Sequence, residues 1–112
     1  MPYDHALEDR IDLLSVNWPG FGKKKMFGGL GYLLRGNMAF GIWKTQLIVR
    51  CGPERHEACL ARPGVSEFDV TGRPMRGWIM VADDGFDDDT VLLAWLETGR
   101  DFAAGLPAKD DR

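Results

Sequence analysis

Glycines separate short apolar runs between residues 23 and 42, and this pattern constrains the fold more than any other feature of the chain. Glycine is the residue that tight turns and close backbone approaches require. Arg35, Gly36 and Asn37 interrupt the apolar residues where a tight hairpin would reverse the chain. The segment therefore predicts adjacent strands of an antiparallel sheet.

Side chains from residue 38 to residue 42 alternate with a period of two, which is typical of a strand. Met38, Phe40 and Ile42 are predicted to share one face of the sheet. Ala39 and Gly41 are predicted on the other face, where their small size favours close packing against another element. A second reversal at residues 44–46 precedes a further apolar strand over 47–49, so at least three antiparallel strands are expected.

Helical periodicity appears before and after these strands. Asp4 can cap a first helix in which Leu7, Ile11 and Leu14 share a face, ending near residues 17–20. A short helix is predicted over 54–61, with Ala58 and Leu60 toward its buried side. The last helix begins at Asp87 or Asp88, and its apolar stripe consists of Val91, Leu92, Trp95, Leu96 and Phe102.

Two short strands, one at Phe68 and Val70 and one over 78–81, complete the pattern, with residues 71–77 forming the loop between them. The element order α-β-β-β(-β)-α-β-β-α predicts an α+β fold, an antiparallel sheet flanked by helices in two layers. The 112 residues, 45% of them hydrophobic, match one domain over 1–112, with an ordered core over about 4–106 and a polar tail over 107–112.

Charge and hydropathy limit the possible partners. The formal net charge of −3 argues against broad affinity for nucleic acid or anionic lipid. No apolar run approaches the roughly 20 residues that cross a bilayer, and the N-terminus is acidic and unlike a secretory signal. A cytoplasmic location and no membrane partner are therefore expected.

Cys51 and Cys59 are expected to be two partly buried thiols, because a reducing cytosol disfavours disulfides. Together with His56 they offer three ligands at a spacing unlike that of structural zinc sites, so no metal and no cofactor are predicted. His56 and Cys59 could also touch on a helix face, which leaves a thiol-dependent enzyme as a distant alternative. No third orienting group accompanies them, so His56 is expected at the surface and no catalytic residue is assigned.

Several spaced motifs occur in a fixed order: Met-Phe-Gly-Gly at 26–29, Gly-Asn-Met at 36–38, Val-Arg-Cys-Gly-Pro-Glu at 49–54, Ala-Arg-Pro-Gly at 61–64 and Thr-Gly-Arg-Pro-Met-Arg-Gly-Trp at 71–78. Over nearly its whole length the chain resembles small stand-alone bacterial members of the TfoX N-terminal domain family. The resemblance implies a fold similar to that of secretion chaperones. It also implies a non-catalytic regulatory or protein-interaction module, like that of competence regulators, which pairs as a homodimer and has an unknown protein partner.

A basic surface provides an alternative function, the binding of nucleic acid or of a phosphate-bearing ligand. Its candidate anion-binding residues are Lys23, Lys24, Lys25, Arg35, Arg50, Arg73 and Arg76. The favoured interpretation is structural, because lysines on an edge strand prevent edge-to-edge pairing and the arginines can pair with nearby acids.

Two of the four tryptophans are candidates for a partner surface. Trp18 lies in a predicted loop and Trp43 at a predicted strand end, whereas Trp78 and Trp95 fit core patterns. The acidic residues over 83–89 are interpreted as a solvated helix start rather than a cation site, because their spacing does not match an EF-hand.

Overall fold

A computed structural model describes residues 3–26, 28–69 and 75–108 and confirms the α+β fold. In these ranges the helices are α1 (His5–Leu14), α2 (His56–Leu60) and α3 (Asp89–Ala104), and short 3-10 turns cover Pro53–Arg55 and Asp83–Gly85. The strands are β1 (Phe21–Met26), β2 (Gly29–Leu34), β3 (Asn37–Trp43), β4 (Gln46–Arg50), β5 (Val65–Glu67) and β6 (Trp78–Val81). The predicted loop residues 71–74 and the predicted strand residue Val70 lie outside the described residues.

The six strands form one antiparallel sheet in the order β1-β2-β3-β4-β6-β5. Arg35 and Gly36 adopt φ values of 49° and 85° at the β2–β3 turn, which confirms the predicted hairpin. Lys44, with φ 56°, makes the second reversal. β1 and β5 are the two edges of the described sheet.

A β-bulge in β3 overturns part of the predicted alternation. Tyr32 pairs with Phe40, but Leu33 pairs with Met38, so Ala39 is an extra residue on its strand. Phe40 and Ile42 lie in the main core, whereas Met38 lies in a second cluster on the opposite face. The prediction that Met38 shares the face of Phe40 was wrong, because the bulge reverses the alternation.

α3 packs on the helix-bearing face of the sheet, directly over this bulge. A Cβ atom on Gly99 would collide with the carbonyl oxygen of Ala39. An element does pack closely at Ala39, with a glycine on the helix providing the space, but it lies on the face of Phe40 and not on the predicted opposite face, because the bulge puts Ala39 in the same cluster as Phe40. Asp88 caps α3 and accepts a hydrogen bond from the amide of Thr90 at 2.7 Å, as one of the two predicted capping residues.

The opposite face of the sheet carries a smaller apolar cluster. Its buried members are Met38, Ile48, Phe68 and Met80, with Met26, Trp43 and Trp78 packed around them. Phe68 lies just after β5 rather than within it, because that strand pairs over residues 65–67 and not from residue 68 onward. β6 covers residues 78–81 as predicted.

The ends of the first two helices differ in how well the sequence predicts them. Asp4 caps α1 by accepting from the amides of Ala6 and Leu7, as expected, but the helix ends at Leu14, earlier than predicted. α2 buries His56 and Cys59 and leaves Ala58 exposed, so the predicted burial of Ala58 was wrong, whereas Leu60 packs half-buried against the main core as predicted. The 3-10 turn before α2 sets the rotation of this five-residue helix, and periodicity over so short a segment is weak.

Within the described ranges, each helix is too short or too polar to traverse a lipid bilayer.

Candidate interaction surface

The three consecutive lysines lie on β1, an edge strand. Among the described residues, β1 pairs with β2 alone, from Phe21 opposite Leu34 to Met26 opposite Gly29. The side chains of Lys23 and Lys25 lie on the helix-bearing face of the sheet, and Lys24 lies on the other face, as strand alternation requires.

Lys23 is neutralised by α1. Its Nζ donates to Glu8 Oε2 at 2.8 Å and to Asp12 Oδ2 at 2.9 Å, and it lies 5.6 Å from the centre of the Tyr32 ring. The hydrogen bond from Lys23 lowers the pKa of Glu8. Burial, followed by the hydrogen bond that its hydroxyl donates to Asp12 at 2.8 Å, raises the pKa of Tyr32. This network holds α1 to the first two strands.

Lys24 and Lys25 are exposed, and no ion pair to either is found among the described residues. Arg35 shares both properties, so these three residues of the predicted basic surface are available to an acidic group from another molecule.

The arginines of the predicted anion site lie elsewhere. Arg35 is exposed at the β2–β3 turn, and exposed Arg76 pairs with Glu57 at 3.2 Å beside α2. Arg50 lies on β4, three strands from β1, a separation of about 14 Å at usual strand spacing. Arg73 lies outside the described residues. The structure therefore places the described candidates in separate regions rather than around one anion.

Arg50 is held by aromatic rings. Its guanidinium lies 4.9 Å from the ring centre of Trp78 and 5.3 Å from that of Phe102, and Nη1 donates to the carbonyl of Met38 at 3.4 Å. Burial lowers the pKa of Arg50. These contacts hold the guanidinium of Arg50 beside two aromatic rings and a backbone carbonyl.

Trp18 is half-buried between the core and the surface. Its ring lies 6.0 Å from that of Phe21 and meets Phe40 edge-on at 6.4 Å, while the guanidinium of Arg100 lies over it at 4.4 Å. Trp18 and Phe21 line a cavity of about 330 Å³ at the junction of α1 and β1. Trp43 is also half-buried, on the opposite face of the sheet, with Lys44 Nζ at 4.6 Å. The two predicted partner residues thus belong to different surfaces.

The exposed apolar residues near Trp18 were not predicted. Leu13 is 75% exposed and Val16 is 71% exposed, three residues apart at the end of α1, and Val16 lines the same cavity as Trp18. Both fall outside the stripe formed by Leu7, Ile11 and Leu14, and this departure from the stripe is the sequence signal that could have identified them. Large exposed apolar side chains beside an aromatic cavity are typical of an association surface.

The remaining tryptophans differ from each other. Trp95 is buried, as predicted, and its Nε1 donates to the carbonyl of Gly85 at 3.3 Å. Trp78 is only half-buried and packs with Phe68 at 5.8 Å on the outer face, so its assignment to the core holds only in part.

His56 is buried, which overturns its predicted surface position. It is 3% exposed, its Nδ1 accepts from the amide of Gly77 at 2.9 Å, and its Nε2 lies 3.3 Å from Glu67 Oε1. The burial has a structural reason, because this imidazole satisfies a buried backbone donor that precedes β6. Both of its ring nitrogens have partners within the fold.

The two cysteines are free and buried. Burial, with a smaller contribution from neighbouring Cys59, raises the pKa of the Cys51 thiol to about 12. Such a thiol is almost entirely protonated at neutral pH and is a poor nucleophile.

The acids around the start of α3 act as caps and ion-pair partners. Asp88 is the cap, and Asp89 accepts from Arg10 at 2.8 and 2.9 Å. In the part of the chain that the structure describes, no three His, Cys, Asp or Glu side chains are grouped so that they could hold a metal ion.

Comparison with known protein families identifies a family for most of the chain. A family model described as TfoX N-terminal domain matches residues 12–103. No curated protein and no solved structure matches the chain.

Proposed function

This chain belongs to the TfoX N-terminal domain family, and on that basis we propose that it is a non-catalytic regulatory module that acts by protein association, as a homodimer. One observation carries the proposal: Leu13 in the last turn of α1 and Val16 just after the helix are both more than two thirds exposed, and Val16 lines an aromatic cavity. Apolar side chains of this size are costly to leave in water unless a partner covers them.

A second copy fits this surface because it offers both a projection and a cavity. In a twofold dimer the same patch faces itself, so Leu13 of one copy can contact the cavity beside Val16 and Trp18 of the other. A dimer through the β1 edge is less favourable, because Lys24 and Lys25 would face identical lysines. We therefore propose α1 as the contact between copies. The patch is small, so we expect a weak dimer.

The buried groups support a non-catalytic role. Cys59, the candidate nucleophile, is buried, and both ring nitrogens of His56 have other partners, which is what a packed core needs and not what a nucleophile and its base need. Because the described candidate arginines lie in separate regions, they give no specific support to the alternative that the chain binds nucleic acid. We also propose a cytoplasmic location, the usual setting of two free thiols.

Sedimentation equilibrium between about 1 μM and 1 mM tests the dimer, because a weak association is populated only in this range. We expect the mass to rise from 12.5 kDa toward twice that value with increasing concentration. Leu13→Glu should hold the chain at the lower mass, because it places a charge at the centre of the contact. Met75→Glu, at another exposed apolar residue, is the matched control and should leave the dimer intact.

A cross-link adds a positional test. An equimolar mixture of Leu13→Cys and Val16→Cys chains should form a mixed disulfide between copies under mild oxidation, because Leu13 of one copy is proposed to lie beside Val16 of the other. Cys51 and Cys59 are buried and do not compete. A chain that remains monomeric over the whole concentration range would refute the dimer.

A further inference from the structure

The β1 edge is a long, open strand. It extends over six residues, whereas β5, the other edge of the described sheet, has three. An edge strand directs alternate N–H and C=O groups away from its only neighbour, and those groups can pair with another extended chain. Within the described ranges no backbone hydrogen bond occupies the free side of β1.

A cavity lies directly beside this edge. Phe21, Gly22 and Lys23 of β1 form one wall, and Val16 and Trp18 form another. Gly22 leaves the sheet face uncovered beside this cavity, because no atom outside its chain neighbours lies within 4 Å of the position that a Cβ would occupy. A strand added along β1 would place one of its side chains at the mouth of this aromatic cavity.

The positive charges on β1 determine which kind of strand from another chain can pair with this edge. Lys24 and Lys25 project on opposite faces of β1, are exposed, and have no acidic partner among the described residues. An added strand with acidic side chains on both faces would therefore meet a lysine on each side.

We propose that β1 is a docking edge for an extended, acidic segment of a partner protein, which adds a strand to the sheet and inserts an apolar side chain between Trp18 and Val16. The charges favour this occupant over a second copy, because two β1 strands would oppose their lysines. They also favour it over nucleic acid, because the two lysines without an acidic partner among the described residues lie on opposite faces of β1 and not in one continuous basic patch that a phosphate backbone could follow. The proposed dimer places Leu13 of a second copy in the same cavity, so a peptide and a second copy compete for it, and the peptide is titrated at a concentration where the chain is monomeric.

The test uses a synthetic peptide, Glu-Glu-Val-Leu-Val-Glu-Glu, with blocked ends, which carries glutamates on both faces of a strand and a central leucine. It is titrated into the full chain at low salt and followed by amide NMR. We expect saturable shifts along β1 and slowed hydrogen exchange of its outward amides. A peptide with proline in place of the first valine loses a backbone donor but keeps the leucine, and it should bind about tenfold more weakly. The lysine-substituted peptide Lys-Lys-Val-Leu-Val-Lys-Lys should not bind.

Charge-reversal variants locate the site. The double change Lys24→Glu and Lys25→Glu should weaken binding of the acidic peptide at least about tenfold. The double change Arg55→Glu and Arg76→Glu alters net charge equally at exposed positions away from β1 and should leave binding unchanged. Leu13→Ala removes the proposed dimer contact without adding a charge, and Leu13 does not line the cavity. At a concentration where the chain is monomeric it should leave peptide binding unchanged, so a failed dimer and a failed peptide site give different results.

Four outcomes would overturn the proposal. The first is absence of peptide binding to the wild-type chain, and the second is equal binding of the proline peptide, which would mean that no strand is added. The third is tighter binding of a single-stranded oligonucleotide, which would assign the edge to nucleic acid. The fourth is a change of assembly mass on charge reversal of Lys24 and Lys25, which would assign the edge to a second copy. Circular dichroism of each variant confirms that its fold is retained.

Discussion

α3 and α1 both lie on the same side of the molecule, yet they use their apolar residues differently. α3 buries Leu92, Trp95 and Leu96 and approaches the sheet so closely that Gly99 contacts the backbone of β3. α1 buries Leu7 and Ile11 but leaves Leu13 in solvent, as the chain just after the helix leaves Val16. The apolar content of a helix therefore does not by itself show which of its residues belong to the core. The apolar residues of α3 stabilise the fold, and part of those on α1 is available for association.

The largest effect is expected at the centre of α3. Trp95→Ala should lower the free energy of unfolding by about 4 kcal/mol, because it removes a fully buried ring and leaves a cavity. Urea unfolding followed by circular dichroism measures the change. Ala94→Ser, at the exposed neighbour on the same helix, should stay within about 0.5 kcal/mol. A comparable loss at both positions would mean that α3 does not bury the face described here.

Two substitutions distinguish the buried side of α1 from its exposed side. Ile11→Ala should cost about 3 kcal/mol of unfolding free energy, because Ile11 is completely buried. Leu13→Ala should cost less than about 0.5 kcal/mol when measured at a concentration where the chain is monomeric. If both changes destabilise the monomer equally, Leu13 is a core residue and the association surface on α1 is misassigned.

Gly99→Ala tests the close contact by the sign of its effect. Alanine in a helix is normally more stable than glycine by about 1 kcal/mol. Here the added methyl group would collide with the carbonyl of Ala39, so we expect a loss of about 2 kcal/mol instead. Gly105→Ala, where the nearest atom to the new Cβ is 3.5 Å away, should be nearly neutral. A stabilising Gly99→Ala would show that the helix and the bulge are farther apart.

The smallest effect is expected where α1 meets β1. The pKa of Glu8 is lowered in the folded state, so its contribution to stability is present above its unfolded pKa and is lost as pH falls through the folded value. Lys23→Met keeps the aliphatic stem but removes this ion pair. The difference in unfolding free energy between wild type and variant should stay below about 1 kcal/mol, because Lys23 is 40% exposed.

This difference should shrink between about pH 6 and pH 3 as Glu8 becomes protonated. Parallel urea titrations across that range measure it, and high salt should reduce it as well. A difference that grows on acidification would assign the interaction to another pair of groups.

Local patterns predicted most of the elements. The hairpin at Arg35 and Gly36 and the caps at Asp4 and Asp88 depend on neighbouring residues alone, and the structure confirms each of them. The bulge at Ala39 could not be predicted in the same way. It depends on which residue of β2 faces which residue of β3, and several registers satisfy the same alternation.

The candidate interaction surface shows the same difference between local patterns and long-range packing. An edge position for the three lysines follows from their own sequence, and β1 is indeed an edge strand. Whether Arg35, Arg50 and Arg76 meet those lysines depends on strand order, which periodicity does not specify. His56 was misplaced for a related reason, since its burial depends on the distant amide of Gly77.

The amino-acid order by itself determined the class of fold, the turns, the helix caps and the family, because each depends on short-range geometry or on motifs that are read directly. Tertiary structure alone decided that Met38 leaves the main core, that α3 rests on the backbone at Gly99, and that Leu13 and Val16 stay in water. These outcomes depend on the distances between segments far apart in the chain, and residue types constrain such distances only after the whole core has packed.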